Sequence, residues 1–229
     1  MEPRFKPVAD YALLISFATE IGDAANQMVV AFDRAVMQAK LKGVCETVPA
    51  FVNILIRFDP LITDHQELEC ALRKLMETVQ VGDVSAGRKT VHVCYDDAFG
   101  PDLTEVAKTC GLTKEAVINA HLAGEYHIVM YGFAPGYAYM AGVPDAIQVP
   151  RKPTPVRNVA AGSVIIASAQ CLVSTIVMPT GWSIIGRSPT KILLNEPDAP
   201  FLFDVGDRVT FKRIDLATYE QMSKGVKNG

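Results

Sequence analysis

HIVMYGFAPGYAY, residues 127–139, shows the pattern that decides the fold, a short strand-forming run that stops at a tight turn. The apolar and aromatic residues from His127 to Phe133 predict a β-strand. Pro135 and Gly136 suit the two central positions of a type II turn, because proline fixes φ and glycine accepts a positive φ. The same unit, a short strand ended by glycine or proline, recurs through the second half of the chain.

Further strands are predicted at residues 162–167, 172–178, 182–186 and 208–213. Many short strands at this spacing favour a closed or nearly closed β-barrel, because closure removes exposed sheet edges. Two short helices are expected before them, at residues 101–110 and 114–122, the second capped by Thr113. Residues 144–155 (PDAIQVPRKPTP) hold four prolines and predict an extended, rigid loop.

The first 95 residues alternate strand and helix patterns instead. Strand-forming runs cover residues 11–17, 44–49, 51–58 and 90–95, with a loop expected at 82–87. Helical spacing covers residues 23–42, ended by Gly43, and a second helix capped by Thr63 or Asp64. The order β-α-β-β-α-β is typical of a ferredoxin-like sandwich. We therefore predict an α+β fold, with a ferredoxin-like domain over residues 1–96 and a β-barrel domain over residues 97–229.

Composition excludes several classes of protein. The 229 residues carry 22 Lys+Arg against 25 Asp+Glu, which argues against duplex nucleic acid as a partner. The polar, proline-broken start is unlike a secretory leader, and no run approaches the roughly 20 apolar residues of a membrane span. Five scattered cysteines without a CxxC pair argue against a disulfide framework and a zinc site, so we expect a cytoplasmic protein.

The chain lacks the motifs GxxxxGK[ST], GxGxxG, GxSxG and HExxH, so a site must be assembled from separated residues. Three segments are candidates: the turn region 131–139, the basic loop 151–157 and residues 179–189. Cations on a stiff loop could clamp a carboxylate or a phosphate. Each segment also has a purely structural interpretation. Residues 131–139 could be a packed turn, and residues 151–157 could be a solvated basic loop. In residues 179–189 the tryptophan could belong to the core and the arginine to the surface. Lone histidines such as His121 and His127 are more often structural than catalytic.

Together these segments resemble the family of the B-type subunit of 5-oxoprolinase, also met as the sporulation kinase inhibitor KipI and as allophanate hydrolase subunit 1. The matching blocks are GVCETVPAFVNILIRFDP (43–60), residues 93–140, PRKPTPVRNVAAGSVIIASAQ (150–170) and GWSIIGRSP (181–189). GFAPGYAY (132–139) is the most specific part. The resemblance implies that the barrel is cyclophilin-like. It also implies a C-type partner subunit, similar to allophanate hydrolase subunit 2, and in 5-oxoprolinase an A-type subunit as well.

The resemblance further implies a hydrolase subunit that is inactive alone. The 5-oxoprolinase reaction opens 5-oxo-L-proline to L-glutamate at the expense of ATP, expected with magnesium and shared with the partner subunits. A lactam amide is a poor electrophile until its oxygen is phosphorylated. Cations must stabilise the negative charge during the phosphoryl transfer. Two alternatives stay open: a subunit that hydrolyses allophanate or another urea-derived amide, and a regulatory protein that inhibits a histidine kinase.

The resemblance and side-chain chemistry together suggest a set of site residues. Arg151 and Arg187 are expected to face a common pocket and bind an anionic group, whereas Lys152 and Arg157 are weaker candidates. Gln170 would read an amide edge, since glutamine can donate and accept hydrogen bonds at once. The remaining expected site residues, none of them a metal ligand, are His121, Gly132, Phe133, Pro135, Gly136, Tyr139, Thr154 and Trp182.

The sequence departs from the family pattern beside this expected pocket. Ser168-Ala169 and Pro179-Thr180-Gly181 stand where glycine pairs are usual, and Ala141 precedes Gly142 where a glycine pair is common. Residues 171–175 replace a run of the Thr-Gly-Ile-Tyr-Pro type. These departures predict a pocket that differs in width from that of a typical 5-oxoprolinase.

Overall fold

The computed structural model describes residues 2–81 and 86–226, and the chain divides into two units between residues 85 and 86. The first unit contains, in order, β1 (Arg4–Val8), β2 (Ala12–Ser16), α1 (Asp23–Ala39), β3 (Val44–Pro49), β4 (Asn53–Phe58) and α2 (His65–Met76). The second contains β5 (Arg88–Cys94), α3 (Leu103–Cys110), α4 (Lys114–Ala123), β6 (Tyr126–Tyr131), β7 (Ala138–Ala141), a 3-10 turn (Asp145–Ile147), β8 (Val156–Val159), β9 (Ser163–Ala167), β10 (Gln170–Val173), β11 (Met178–Thr180), β12 (Ser183–Arg187), β13 (Arg208–Ile214) and α5 (Leu216–Val226). Within the described ranges, no helix is both long enough and apolar enough to span a membrane.

The first unit is an antiparallel sheet in the order β1-β2-β4-β3, with both helices packed on one face. Buried residues alternate along β2 and β4, as expected for a sheet with one buried face. Asp64 caps α2 by accepting a hydrogen bond from the Glu67 amide at 2.8 Å, which confirms one of the two predicted caps. The core of this unit contains Leu13, Ile15, Val29, Phe32, Val36, Ile54, Ile56, Phe58, Leu68 and Leu72.

The predicted β-α-β-β-α-β order of the first unit is not confirmed, because the observed order is β-β-α-β-β-α. β1, a polar strand containing a proline (RFKPV), occupies the sheet edge beside β2. The strand predicted at residues 90–95 is β5, which pairs in parallel with β13 and so belongs to the second unit. The boundary therefore lies at residue 85 and not at 96. Of the predicted loop at 82–87, residues 82–85 lie outside the described residues.

Seven strands of the second unit close into a barrel in the order β10-β7-β6-β13-β5-β12-β9. The pair β13–β5 is parallel, and the other described barrel pairs are antiparallel. The predicted helices match α3 and α4 to within two residues, and the Thr113 hydroxyl caps α4 by accepting from the Ala116 amide at 3.1 Å. The barrel core includes Val91, Val93, Tyr126, Ile128, Met140, Val164, Ile166, Cys171, Val209 and Phe211.

A second, smaller apolar cluster covers the outer face of the barrel at β9, β10 and β12. Ile165, Leu172 and Ile184 on these strands contact it, and the two-stranded ribbon β8–β11 packs on it through Val159 and Met178. The pattern of the sequence did not predict β7, β8 and β11, because strands of three or four residues are too short to show alternation. This outer face positions the candidate site.

Candidate functional site

The turn after β6 presents an exposed aromatic ring on a strained backbone. Phe133 has φ 72° and 71% of its surface is exposed. The Ala134 amide donates to the Gly132 carbonyl at 2.9 Å, which closes a three-residue γ-turn around Phe133. A positive φ at a residue other than glycine costs about 1–3 kcal/mol, so surrounding contacts must hold this conformation.

Those contacts come from the Pro135–Gly136 turn that follows. The Tyr137 amide donates to the Ala134 carbonyl at 3.0 Å, and Gly136 has φ 67°, which confirms the predicted turn. The Thr175 hydroxyl donates to the Pro135 carbonyl at 2.8 Å. The turn is therefore tied to the chain that follows β10.

Four aromatic rings and one guanidinium continue from this turn along the outer face of the barrel. Ring centroids are 5.3 Å apart for Phe133–Tyr137, 5.5 Å for Tyr137–Tyr139 and 6.0 Å for Tyr139–Trp182. Arg151 Cζ lies 5.4 Å from the centroid of the Trp182 ring, within the range of a cation–π contact. We call these five residues the aromatic shelf. Arg151 forms no ion pair with a described carboxylate, so its guanidinium can accept an anionic ligand.

The electrostatics of the shelf keep its central phenol neutral. Burial, and to a lesser degree Tyr139, raise the pKa of Tyr137 well above its usual range, whereas Arg151 acts in the opposite direction. At neutral pH the Tyr137 hydroxyl can thus both donate and accept a hydrogen bond.

The neighbouring residue Lys152 anchors the loop that carries Arg151. Its amide donates to the Gly181 carbonyl at 2.6 Å, and its ammonium forms an ion pair with Asp102 Oδ2. The same carboxylate oxygen accepts a hydrogen bond from the Ile184 amide at 2.7 Å. Asp102 stands at the N-cap of α3, yet its side chain caps none of the amides of that fully described helix. Lys152 is therefore an anchor and not a free cation of the basic loop.

Gln170 shares the outer face with the shelf. It begins β10, where the next residue, Cys171, contacts the barrel core and Leu172 contacts the outer cluster. Because side chains alternate along a strand, Gln170 points to the outer side, where Tyr139 also packs. From the predicted set, ring and cation–π contacts that run through Tyr137 link Phe133, Tyr139, Trp182 and Arg151, and Gln170 lies on the same outer side of the barrel wall.

His121 does not lie at this face. It is fully buried, with Nδ1 2.7 Å from Tyr95 Oη and Nε2 3.5 Å from Cys171 Sγ, on the interior side of β10. Burial lowers the pKa of His121 to about 3 and raises that of Tyr95, so both groups are neutral at neutral pH. The expectation that His121 joins Tyr139 in one pocket is corrected, because the wall of the barrel separates the two side chains.

Arg187 is also placed away from Arg151. It ends β12 with Cζ 4.8 Å from the centroid of the Phe99 ring, and its buried Nε has no hydrogen-bond partner among the described residues. Trp182 and Arg187 are five positions apart, roughly 16 Å at the rise of a strand. The two guanidiniums therefore contact different aromatic rings, Trp182 for Arg151 and Phe99 for Arg187.

Thr154 and Arg157 line a separate groove of about 550 Å³, which we call the ribbon groove. Its other lining residues are Pro155, Asn158, Val177, Met178 and Pro179. Thr154 is thus placed beside the ribbon β8–β11, whose Met178 packs in the same outer cluster as Tyr137 and Trp182 of the aromatic shelf.

The metal that the family resemblance implies has no fitting cluster of ligands among the described residues. No group of three or more His, Cys, Asp or Glu side chains in the described part of the chain could hold a metal ion. The sequence also lacks a glycine-rich phosphate loop.

Two residues of the site were not predicted from the sequence. Tyr137 alternates with Tyr139 along the chain, and this period of two was a signal that could have placed both on one face. Asp102 gives no local signal, because its partners Lys152 and Ile184 are 50 and 82 residues away.

The departures from the family's glycine pattern fall at two kinds of position. Ser168 has φ 50° in the two-residue loop between β9 and β10, where glycine carries no Cβ penalty. Gly142 has φ 109°, and a Cβ there would lie 2.2 Å from the Glu125 carbonyl oxygen. Glycine is thus retained where no side chain fits, whereas Ala141 lies in a regular strand.

Comparisons with known proteins agree with the resemblance of the motifs. The family model described as carboxyltransferase domain, subdomain C and D, matches residues 3–203. The chain is 34% identical over 232 residues to the B-type subunit of 5-oxoprolinase from Bacillus subtilis (strain 168), covering 94% of this chain and 95% of that protein.

Two solved structures share the fold. The crystal structure of TTHA0988 superposes with a TM-score of 0.79 at 29% identity, covering 89% of this chain and 40% of that one, so this chain spans less than half of that protein. The urea amidolyase of Kluyveromyces lactis has a TM-score of 0.79 at 15% identity, covering 99% of this chain and 16% of that one, a likeness of fold alone. The closed seven-stranded barrel is consistent with the expected cyclophilin-like domain.

Proposed function

Because this chain belongs to the family of the carboxyltransferase domain, subdomain C and D, and a 34%-identical relative is named as the B-type subunit of 5-oxoprolinase, we propose that it is one subunit of an ATP-dependent 5-oxoprolinase. The proposed reaction converts 5-oxo-L-proline to L-glutamate. The chain acts with a C-type subunit, and with an A-type subunit as well, and is inactive alone.

The observation that carries this proposal is the Arg151 guanidinium above Trp182, without a described carboxylate partner and on the same face as Gln170. The substrate is a small planar lactam with one carboxylate. Arg151 would bind that carboxylate through two parallel hydrogen bonds, and the flat ring would pack against Tyr139 and Trp182. The Gln170 amide would pair with the lactam N–H and C=O, which need an acceptor and a donor at once.

In the proposed complex, this chain binds and orients the substrate. Fixing a substrate in a reactive geometry supplies a large part of a rate enhancement, even when the reacting groups come from elsewhere. The nucleotide is assigned to the partner subunits, because the sequence has no glycine-rich phosphate loop, and no step on this chain goes through it.

The test is ATP-dependent release of glutamate by the complex reconstituted from this chain and the C-type and A-type subunits of a 5-oxoprolinase. Arg151→Met should raise KM about 10- to 150-fold, the loss of a charged hydrogen bond worth about 1.5–3 kcal/mol. Arg151→Lys should recover little of this, because lysine lacks the planar fork. Arg208→Met, which removes an exposed cation on β13, is the matched control and should leave KM unchanged.

Two results would contradict the proposal. Full activity of the purified chain without partners would show that it is complete alone. Turnover of allophanate by the complex, with 5-oxoproline left unreacted, would assign the chain to a urea-derived amide instead.

A further inference from the structure

Carboxylates are nearly absent from one continuous part of the sequence. Among residues 126–195, Asp145 is the only Asp or Glu, although the whole chain carries 25 acidic residues. The cations of this segment are Arg151, Lys152, Arg157, Arg187 and Lys191. A chain of net charge −3 therefore contains a long segment whose charged side chains are all cationic apart from one residue.

This segment forms the ribbon β8–β11, which exposes aliphatic side chains. Val177 is 64% exposed, and Val156 and Ile176 are also exposed. Val177 lines the ribbon groove, whose volume of about 550 Å³ leaves room for several side chains of another molecule. Single exposed aliphatic residues are common on protein surfaces, but a cluster around a groove marks an interaction site.

The exposed Phe133 extends the same surface. The Thr175–Pro135 hydrogen bond of 2.8 Å joins the turn of Phe133 to the chain just before Ile176. With its backbone held at φ 72° by the turn that follows, Phe133 keeps 71% of its surface exposed. We call the set Phe133, Arg157, Ile176 and Val177 the ribbon face.

The charge of the ribbon face is positive and uncompensated. Arg157 is exposed and lines the groove, and no Asp or Glu stands among the described residues that line it. Asp102, the anchor carboxylate of the basic loop, is already paired with Lys152. A surface that covers this face must therefore bring its own carboxylates to neutralise Arg157.

We propose that the ribbon face is a protein–protein interface and that its occupant is an acidic, apolar surface of the C-type subunit. The identity of this partner rests on the proposed function, whereas its chemistry is inferred from the ribbon face itself. An apolar side chain of the partner enters the groove at Val177, and a carboxylate pairs with Arg157. The contact is made by side chains, because the four-residue β8, with its shifted register against β11, is a poor template for strand addition.

In the experiment, isothermal titration calorimetry measures the affinity between this chain and a C-type 5-oxoprolinase subunit. Light scattering on the complex eluted from a size-exclusion column gives its mass. Val177→Asp and Arg157→Glu should each raise Kd at least tenfold. The affinity of the wild-type chain should weaken with added NaCl, and that of Arg157→Glu should weaken less. The matched control is Leu216→Asp, which places a carboxylate on another exposed aliphatic residue of the same unit and should leave Kd unchanged.

Circular dichroism melting would verify that each variant is folded, since all three positions are exposed. Wild-type affinity in both ribbon-face variants would overturn the interface, while activity of their complexes would leave the proposed function standing. Failure of the wild-type chain to bind any C-type subunit would overturn the assigned occupant. A wild-type homodimer that Val177→Asp converts to a monomer would show that the occupant is a second copy of this chain.

Discussion

Replacing Asp102 with alanine removes one carboxylate that holds three parts of the second unit together. The variant loses the ion pair with Lys152 and leaves the Ile184 amide without its acceptor. The side chains of Asp102 and Lys152 are only 20% and 21% exposed, so water can replace little of what is lost.

The expected cost follows from these two interactions. Hydrogen bonds to charged groups contribute about 1.5–3 kcal/mol each, and they are not additive, so we expect Asp102→Ala to lower the free energy of unfolding by about 4 kcal/mol. At roughly 3 °C per kcal/mol for a unit of this size, the melting temperature should fall by about 12 °C. Asp102→Asn keeps an oxygen for Ile184 and should cost about half as much.

The assay is urea unfolding at pH 7 and fixed salt, followed by the emission of Trp182, the only tryptophan of the chain. Asp97 supplies a matched control, since it pairs with Lys114 in the same unit but the two side chains are 79% and 41% exposed. Asp97→Ala should cost at most about 0.5 kcal/mol, the typical contribution of an exposed ion pair.

Two outcomes would refute the reasoning. Equal destabilisation by Asp102→Ala and Asp97→Ala would mean that burial does not strengthen the Asp102 contacts. The folded Asp102→Ala variant could also keep the Trp182 emission maximum of the wild-type chain. This result would mean that the Asp102–Lys152 ion pair does not place Arg151 over the indole.

Three further predictions concern the barrel. As pH falls from about 6.5 toward 3, the free energy of unfolding should drop by up to about 1.4 kcal/mol per pH unit. The pKa of His121 is lowered to about 3 in the folded chain, so the folded side chain stays neutral while the same side chain takes up a proton in the unfolded chain. Urea unfolding at several pH values should show a smaller slope for His121→Gln. Gly142→Ala should lower the free energy of unfolding by at least about 3 kcal/mol in thermal melts, since the added Cβ would lie 2.2 Å from a carbonyl oxygen. A loss below about 1 kcal/mol would show that the backbone moves to accommodate the Cβ. Ser168→Gly should raise the melting temperature by about 3 °C, the gain from relieving a left-handed serine, and an unchanged or lower value would contradict the strain at φ 50°.

Features governed by neighbouring residues could be predicted from the sequence alone. The caps at Asp64 and Thr113 and the turn at Pro135–Gly136 depend on contacts within four residues, so residue type decides them. The helices α3 and α4 were predicted from equally local signals, Pro101 at a first-turn position and the Thr113 cap. The motif blocks also indicated the family, which the comparisons confirm.

The allocation of strands to the two units needed the tertiary structure. β5 reads as a continuation of the first unit, yet it pairs in parallel with β13, about 120 residues further along the chain. Nothing in the local pattern of β5 distinguishes these two partners, because alternation shows which face of a strand is buried but not which strand lies beside it.

The candidate site shows the same division. The sequence indicated Arg151, Gln170 and Trp182 by residue type and motif, but only the packing of separate segments determined which of the proposed residues meet. Strand β10 separates His121 from the candidate site. Gln170 and Cys171 point to opposite sides of this strand, and His121 lies on the interior side, next to Cys171. Residue chemistry is a local property, whereas the side of a barrel wall on which a group lies depends on the closure of the whole sheet.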